Sequence, residues 1–367
     1  MTVRADDLVE GGSPPPRQSL LDKARAVRSI RPQALLWMLM LTPPACWTRI
    51  RAGRRPFAPT FPDRRPTLPR ASLAGRVLSG EPFLRPTTEC DCHAPEVLAV
   101  ADELRSRSAG DWQYAQAVFR FAAGEIVHGV EPAPGGVVQT LRRGYGICVD
   151  KVNLFVALAR AGGLRARYCS ITIDVNPDEA TDLIENGPPL FRTYARIFEK
   201  LEAEPDLRLQ RLGRLAKQIL HEHAQRMQRQ GLQWDLTFHP IAEVEVGETW
   251  IPSDPTWDDA EAAAYGLPLP RLGYQPTVLR QLRAKISRRS EIVPFRGGAD
   301  VGRFLFCLLA RGAVDYLNQS LEEARGQGRR VLEEVGAAAY IRRYRHFYVP
   351  VPEIARLGVD FPRYPTS

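Results

Sequence analysis

The strongest ordering of apolar and polar positions runs from Gly144 to Gly163. Val152, Phe155 and Ala159 fall at i, i+3 and i+7, and Leu154 and Leu158 at i and i+4. That spacing predicts a helix with one broad apolar face. Gly162-Gly163 follows where a left-handed cap is wanted. Upstream, Val97, Leu98, Ala101 and Leu104 predict a helix from about Ala94 to Arg107. Tyr114, Val118, Phe121 and Ala122 predict another from about Asp111 to Val127, with Asp111 as its N-cap. Downstream the period changes to two. Cys169, Ile171, Ile173 and Val175 alternate within Arg165–Val175, as in a half-buried strand, which makes Cys169 a core residue. Ala242, Val244 and Val246 alternate with Ile241, Glu243 and Glu245, Gly247-Glu248 makes a turn, and Thr249-Trp250-Ile251 opens the next strand. By the same alternation His239 shares a face with Ile241, Glu243 and Glu245.

The flanks are read more coarsely. Residues 1–16 are polar, end in three prolines and read as a disordered tail. Residues 17–82 read as a Pro/Arg-rich, partly helical arm, whose run Leu35–Leu41 is a short buried or partner-facing helix. That run is far below the ~20 residues a bilayer span requires. Residues 83–258 form the expected core. Within it, 176–234 interrupt the strands as a charged helical insertion, either a lid or docking surface or a solvated excursion. Residues 259–367 are expected to be helical, for example over 278–287, 301–317 and 321–344, with Cys307 in the core.

Bulk composition narrows the function little. Apolar content of 44% and charged content of 25% are those of a globular protein. The net charge of +8 is carried mainly by arginines spread along the chain, without a nucleic-acid-binding motif. Nucleic acid is therefore the weaker reading of that charge. An acidic partner is the alternative, one whose binding would depend on ionic strength. Six irregularly spaced cysteines do not make a disulfide framework, which points to a reducing cytoplasm.

Candidate chemistry centres on Cys148. At a helix N-terminus, free amide N–H groups and the helix dipole favour the thiolate, the attacking form of cysteine. The alternative is a small buried hydrophobe. His239 at the start of one strand and Asp254 just past the end of the next tip the balance. Adjacent antiparallel strands lie about 4.8 Å apart, so the carboxylate can reach the imidazole. Pro255 sets the backbone of Asp254 extended. Packed against the Cys148 helix, the pair makes a thiol–imidazole–carboxylate line. The oxyanion would take the Cys148 backbone N–H; His128, Gln139 and Tyr145 in the stretch before it read as loop or surface residues. Cys90-Asp91-Cys92-His93 lacks a second ligand pair at zinc spacing. His221 and His223 lie about 200° apart on a helix and cannot chelate one ion. His346 reads as structural. No cofactor and no metal is implied.

The run GYGICVDKVNLFVALARAGGLRARY, Gly144–Tyr168, resembles the nucleophile segment of the transglutaminase-like superfamily, and the helix order before it fits. Trp250-Ile251-Pro252-Ser253-Asp254-Pro255-Thr256 is similar to that family's Asp segment. His239-Pro240-Ile241-Ala242-Glu243-Val244 resembles its His segment, with Pro240 in place of a small residue and Ile241 in place of tryptophan. The proline removes one ladder N–H and predicts an edge there. The resemblance covers about residues 83–257. It implies an α+β, papain-like fold with the nucleophile at a helix N-terminus packed on an antiparallel sheet. It also implies Cys148, His239 and Asp254 as the catalytic residues. The implied activity is acyl transfer from an amide or thioester carbonyl to an amine, or to water as in a cysteine peptidase or amidase. The substrate would be a protein, a peptide or an acyl group on a carrier protein. The alternative is a non-catalytic scaffold of the same fold, against which the intact Cys, His and Asp argue.

Overall fold

The computed structural model describes residues 46–55, 81–87, 90–131, 136–175, 239–274, 311–348 and 350–357, the backbone of 234–235 and 285–291, and isolated positions between 199 and 214. The expected tail, most of the arm with Leu35–Leu41, most of the 176–234 insertion with His221 and His223, the segments 278–284 and 301–310, and Cys307 lie outside these residues. The described positions between 199 and 214 are mostly helical.

The chain is α+β. Helices α1 (Pro95–Ser106) and α2 (Asp111–Arg120) come first, and α2 runs into a π-type turn at Phe121–Glu125. A two-residue strand β1 (Val127–His128) follows, then α3 (Gly136–Arg143), strand β2 (Tyr145–Gly146) and helix α4 (Cys148–Ala161). The main sheet contains β3 (Ala166–Val175), β4 (Trp234–Asp235), β5 (His239–Val246), β6 (Thr249–Ser253) and β7 (Lys285–Glu291). Between β6 and β7 lies α5 (Asp259–Ala264), and the chain continues in α6 (Arg311–Val335) and α7 (Ala337–Arg343).

The main sheet is antiparallel throughout: β6 pairs with β5, β5 and β4 pair with successive parts of β3 (166–171 and 174–175), and β7 pairs with β3 along its opposite edge. One face carries α4, which packs on β3 and β5 and is covered from outside by α1, α2 and α3. This sandwich explains why every residue from Asp150 to Ala161 is buried. The amphipathic pattern predicts one apolar face; in the structure the charged residues between its apolar positions are buried as well. Phe155 is fully buried and meets Phe119 edge to face with ring centres 6.5 Å apart. Arg160 is only 3% exposed, yet its guanidinium donates to the carbonyls of Ala166 (3.0 and 2.8 Å) and Arg85 (2.7 Å). Those bonds offset its desolvation and tie the entry of the core to the first strand.

Several expectations shift. Asp111 is the first residue of α2, not its cap; the N-cap is Gly110, and the Asp111 carboxylate instead accepts from Arg105 at 2.5 Å. The end of the expected 278–287 helix is strand β7, where long-range pairing with β3 prevails over local propensity. The separate helices expected on either side of Asn318 are one helix, broken only at Gly336, whose φ is +78°. Trp234–Asp235, at the end of the insertion, is strand β4. The edge predicted at Pro240 is present on one side: β6 pairs with β5 only from Ala242 onward, while Pro240 stays opposite Ser170 of β3.

The C-terminal helices join the same core. Tyr340, Ile341, Tyr348, Val351 and Ile354 are buried with the residues of α1–α4. Tyr340 Oη donates to Leu267 O at 2.9 Å, and Tyr348 Oη accepts from Leu269 N–H at 2.7 Å. Among the described residues, no helix is long and apolar enough to cross a membrane. Helix α6 lies on α5 so closely that a Cβ at Gly328 would stand 1.7 Å from Ala260 O. Backbone cannot yield as a flexible side chain would. Gly328→Ala is therefore expected to lower stability by on the order of 3 kcal/mol in urea unfolding, whereas Gly326→Ala, with no atom nearer than 3.9 Å, stays near wild type.

Candidate active site

Cys148 is the first residue of α4. Its side chain is partly exposed, while the helix behind it is closed on all sides. Asp150, one step short of a full turn further on, folds back so that its Oδ2 accepts from the Ile147 N–H at 3.0 Å. This satisfies one orphan donor of the helix start and fixes the backbone around the cysteine. The following amides point along the helix axis towards the thiol, the arrangement that favours a thiolate.

The direction of α4 decides which end of the sheet the cysteine meets. The helix finishes at Ala161, the chain turns left-handed at Gly163 (φ +87°), and β3 starts at Ala166 opposite Val244. Helix and strand therefore run in opposite directions. The 14 residues of α4 cover about 21 Å. From Ala166 to Ile171 the strand covers about 17 Å back along the same path. Ile171 is the register partner of His239, the first residue of β5. Cys148 thus stands near the level of the sheet at which β5 begins. Asp254 reaches that same end from β6: Ser253 pairs with Ala242, and Asp254 is the next residue. Its Oδ1 accepts from the Thr256 hydroxyl at 2.6 Å and from the Thr256 N–H at 3.2 Å, bonds that hold the carboxylate in a defined direction. The start of β5, with His239, and the turn after β6, with Asp254, therefore lie at the same end of the β5–β6 hairpin, towards which the Cys148 end of α4 points.

Beneath them lies a cluster of buried charges that sequence reading did not assemble. Lys151 is fully buried three residues beyond Cys148, and its Nζ donates to Ala123 O at 3.1 Å in the π-type turn. Burial pulls its pKa from 10.5 down to about 8, against the attraction of Asp258, Glu261 and Asp254 and with the repulsion of Arg325. The Asp254 carboxylate is thus near enough to act electrostatically on Lys151 in the first turn of α4. Asp258 caps α5 by accepting from Glu261 N–H at 2.6 Å. Burial, and next the nearby Glu261 carboxylate, raise the Asp258 pKa. Glu261 Oε1 meets Nδ1 of His128 at 2.9 Å, and Arg325 approaches its other oxygen at 3.8 Å. The one sequence signal for this cluster was a lysine set in a helix otherwise poor in charge; its partners lie more than 100 residues away.

The remaining candidates take ordinary places. Tyr145 is fully buried against Val127, and Gln139 is half-buried on α3. His128 lies on β1, opposite Gly146 of β2 and so beside the strand that leads into Cys148. Cys90 and Cys92 are both fully buried, and burial drives their pKa values up, that of Cys92 to about 12, so both are neutral thiols at physiological pH. Cys169 is buried on β3 as expected. Among the described residues, no group of three metal-ligating side chains is assembled. His346 is exposed on a short turn after α7.

Residues 98–255 match the model of the transglutaminase-like superfamily. No curated protein matches the sequence. Among solved structures, the chain is similar to a candidate cysteine protease from Cytophaga hutchinsonii, at 17% identity and a TM-score of 0.29 over 58% of this chain. The match spans about half (54%) of that protein's length.

The depressed pKa of Lys151 gives a signed prediction. Between pH 8 and 10.5 the unfolded chain holds a proton at this lysine that the folded protein has released. Its contribution to stability therefore rises with pH across that window, by about 3 kcal/mol in total. Wild-type protein is expected to gain on Lys151→Met in urea unfolding as pH rises from 8 to 10.5. A difference independent of pH would show that the lysine keeps its ordinary pKa.

Proposed function

With a transglutaminase-like core over residues 98–255 as the premise, we propose that the protein is a thiol acyltransferase or amidase working through an acyl-enzyme on Cys148. The superfamily match supports a cysteine enzyme at that general level. The observation that carries the reading is the convergence at one end of the sheet of the Cys148 helix start, the first residue of β5 and the Asp254 turn.

In this reading His239 takes the proton of the Cys148 thiol, and Asp254 orients the imidazole. The Sγ attacks the carbonyl carbon of an amide or thioester. The negative charge that develops on the carbonyl oxygen is held by the Cys148 backbone N–H, already fixed at the helix start. His239 returns the proton to the departing amine or thiol as the C–N or C–S bond breaks, leaving a thioester on Cys148. An amine or a water molecule then gives a proton to His239 and attacks the thioester. The products are a new amide or a free acid, together with the regenerated thiol. The partly exposed position of Cys148 suits an acyl group presented by a protein, peptide or carrier rather than one enclosed in a cavity.

Trapping tests the reading. Incubation with a panel of peptide amides and acyl thioesters, followed by rapid acid quench and intact-mass measurement, is expected to show an adduct on Cys148 that disappears in Cys148→Ala. Adding a primary amine divides the two outcomes: faster loss of the adduct with amide product identifies a transferase, and loss at an unchanged rate to free acid identifies a hydrolase. Absence of an adduct from every acyl donor, with wild-type Cys148 no more reactive than a free thiol, would contradict the proposal.

A further inference from the structure

Three buried side chains of α6 lie at a seven-residue spacing, Arg311, Asn318 and Arg325, and form one stripe along the helix. All three hold the same short segment. Arg325 Nη1 donates to His128 O at 2.9 Å. Asn318 Oδ1 accepts from Val130 N–H at 2.8 Å. Arg311 is ion-paired with Glu131, both nearly fully buried. The segment they hold is β1 and the residues that follow it. β1 pairs in parallel with β2: Val127 N–H donates to Gly144 O at 2.9 Å and Gly129 N–H to Gly146 O at 3.0 Å. Only Ile147 separates Gly146 from Cys148.

We propose that Arg325 and Asn318 are positioning residues for Cys148: through β1 and its pairing with β2, α6 sets where the nucleophile and its backbone N–H stand. The inference rests on the reading of Cys148 as the nucleophile. Neither α6 side chain touches the reacting atoms. Arg325 acts on a backbone carbonyl of β1 and Asn318 on the Val130 N–H two residues beyond it; β1 itself is only two residues long and too short to hold its place by pairing alone. Buried polar side chains bonded to a backbone fix it more sharply than apolar packing, because every alternative position leaves a buried donor or acceptor unpaired. The grip is braced from behind. The Arg325 guanidinium also binds Glu322 at 2.9 and 3.2 Å, and Asp315 on the same helix accepts from Arg49 at 2.7 and 2.5 Å. Segments 46–55 and 311–335, both outside the residues matched to the superfamily, are joined in this way to the strand beside the nucleophile.

The test uses Asn318→Ala and Arg325→Lys in the full-length protein, with the exposed Arg330→Ala as control. Arg325→Lys keeps the buried charge but loses the guanidinium's reach, and so guards against simple failure to fold. Two quantities are read: hydrogen exchange at the Val127 and Gly129 amides, and the pH profile of Cys148 alkylation. Both variants are expected to speed exchange at these two amides at least tenfold. They are also expected to slow alkylation at pH 7 severalfold, with the profile moved to higher pH, while Arg330→Ala changes neither. Thermal destabilisation with an unchanged alkylation profile would reduce α6 to a structural prop and overturn the proposal. So would unchanged exchange at the two amides. If wild-type Cys148 itself alkylates no faster than a free thiol, the nucleophile reading fails and the proposal falls with it, a result distinct from loss of reactivity in the variants alone.

Discussion

Enclosure of helix α4 is the constraint on which the rest of the structure depends. A helix with the sheet on one side and α1, α2 and α3 on the others has no solvent to which its charged side chains can turn. Each must find a partner inside. Arg160 takes two backbone carbonyls, Asp150 takes the Ile147 N–H, and Lys151 takes Ala123 O and the field of three carboxylates. These requirements draw the neighbouring segments into fixed places: the residues around Arg85, the π-type turn, and the link from β6 to α5. Only the first two residues of the helix, Cys148 and Val149, remain partly open. Burial therefore does for Cys148 what an isolated helix N-terminus cannot: it holds the amide ends and the thiol still relative to the sheet.

The charged layer below the candidate site is the less obvious consequence. Lys151, Asp258, Glu261 and Arg325 come from α4, from α5 and its cap, and from α6, and the His128 imidazole on β1 meets Glu261. Removal of one partner would strand an opposite charge in a medium of low polarity, which costs several kcal/mol. Such a layer specifies arrangement more than it adds stability. Arg325 and Asn318, which lie outside the residues matched to the transglutaminase-like superfamily, bond the backbone of His128 and Val130 within them.

How much of this was legible in the sequence follows from the range of the forces involved. The Cys148 helix, its glycine stop, the long strand after it and the β5–β6 hairpin were readable, because a period of 3.6 or 2 sustained over five or more residues reports a local surface. The order Cys148, His239, Asp254 was readable as a motif, and the β5–β6 register places His239 and Asp254 at the same end of that hairpin. The strands β1 and β2 were not readable, since two residues carry no period. β7 was not, because its partner β3 lies more than 100 residues away. The continuity of α6 through Asn318-Gln319-Ser320 was hidden by residues that commonly end helices, yet Asn318 is buried there with its oxygen accepting from the Val130 N–H just past β1. The buried charges were hidden for the same reason: Lys151 resembles a surface residue until its distant carboxylates are known.

The most direct test of the central claim is the rate of Cys148 alkylation by iodoacetamide as a function of pH, in the wild-type protein and in His239→Ala. The account predicts fast labelling well below the free-thiol pKa of about 8.5, lost in the variant, as an activated thiolate paired with His239 requires. Slow labelling that rises only near the free-thiol pKa and is indifferent to His239 would contradict it, and would leave the fold as a scaffold whose cysteine is inert.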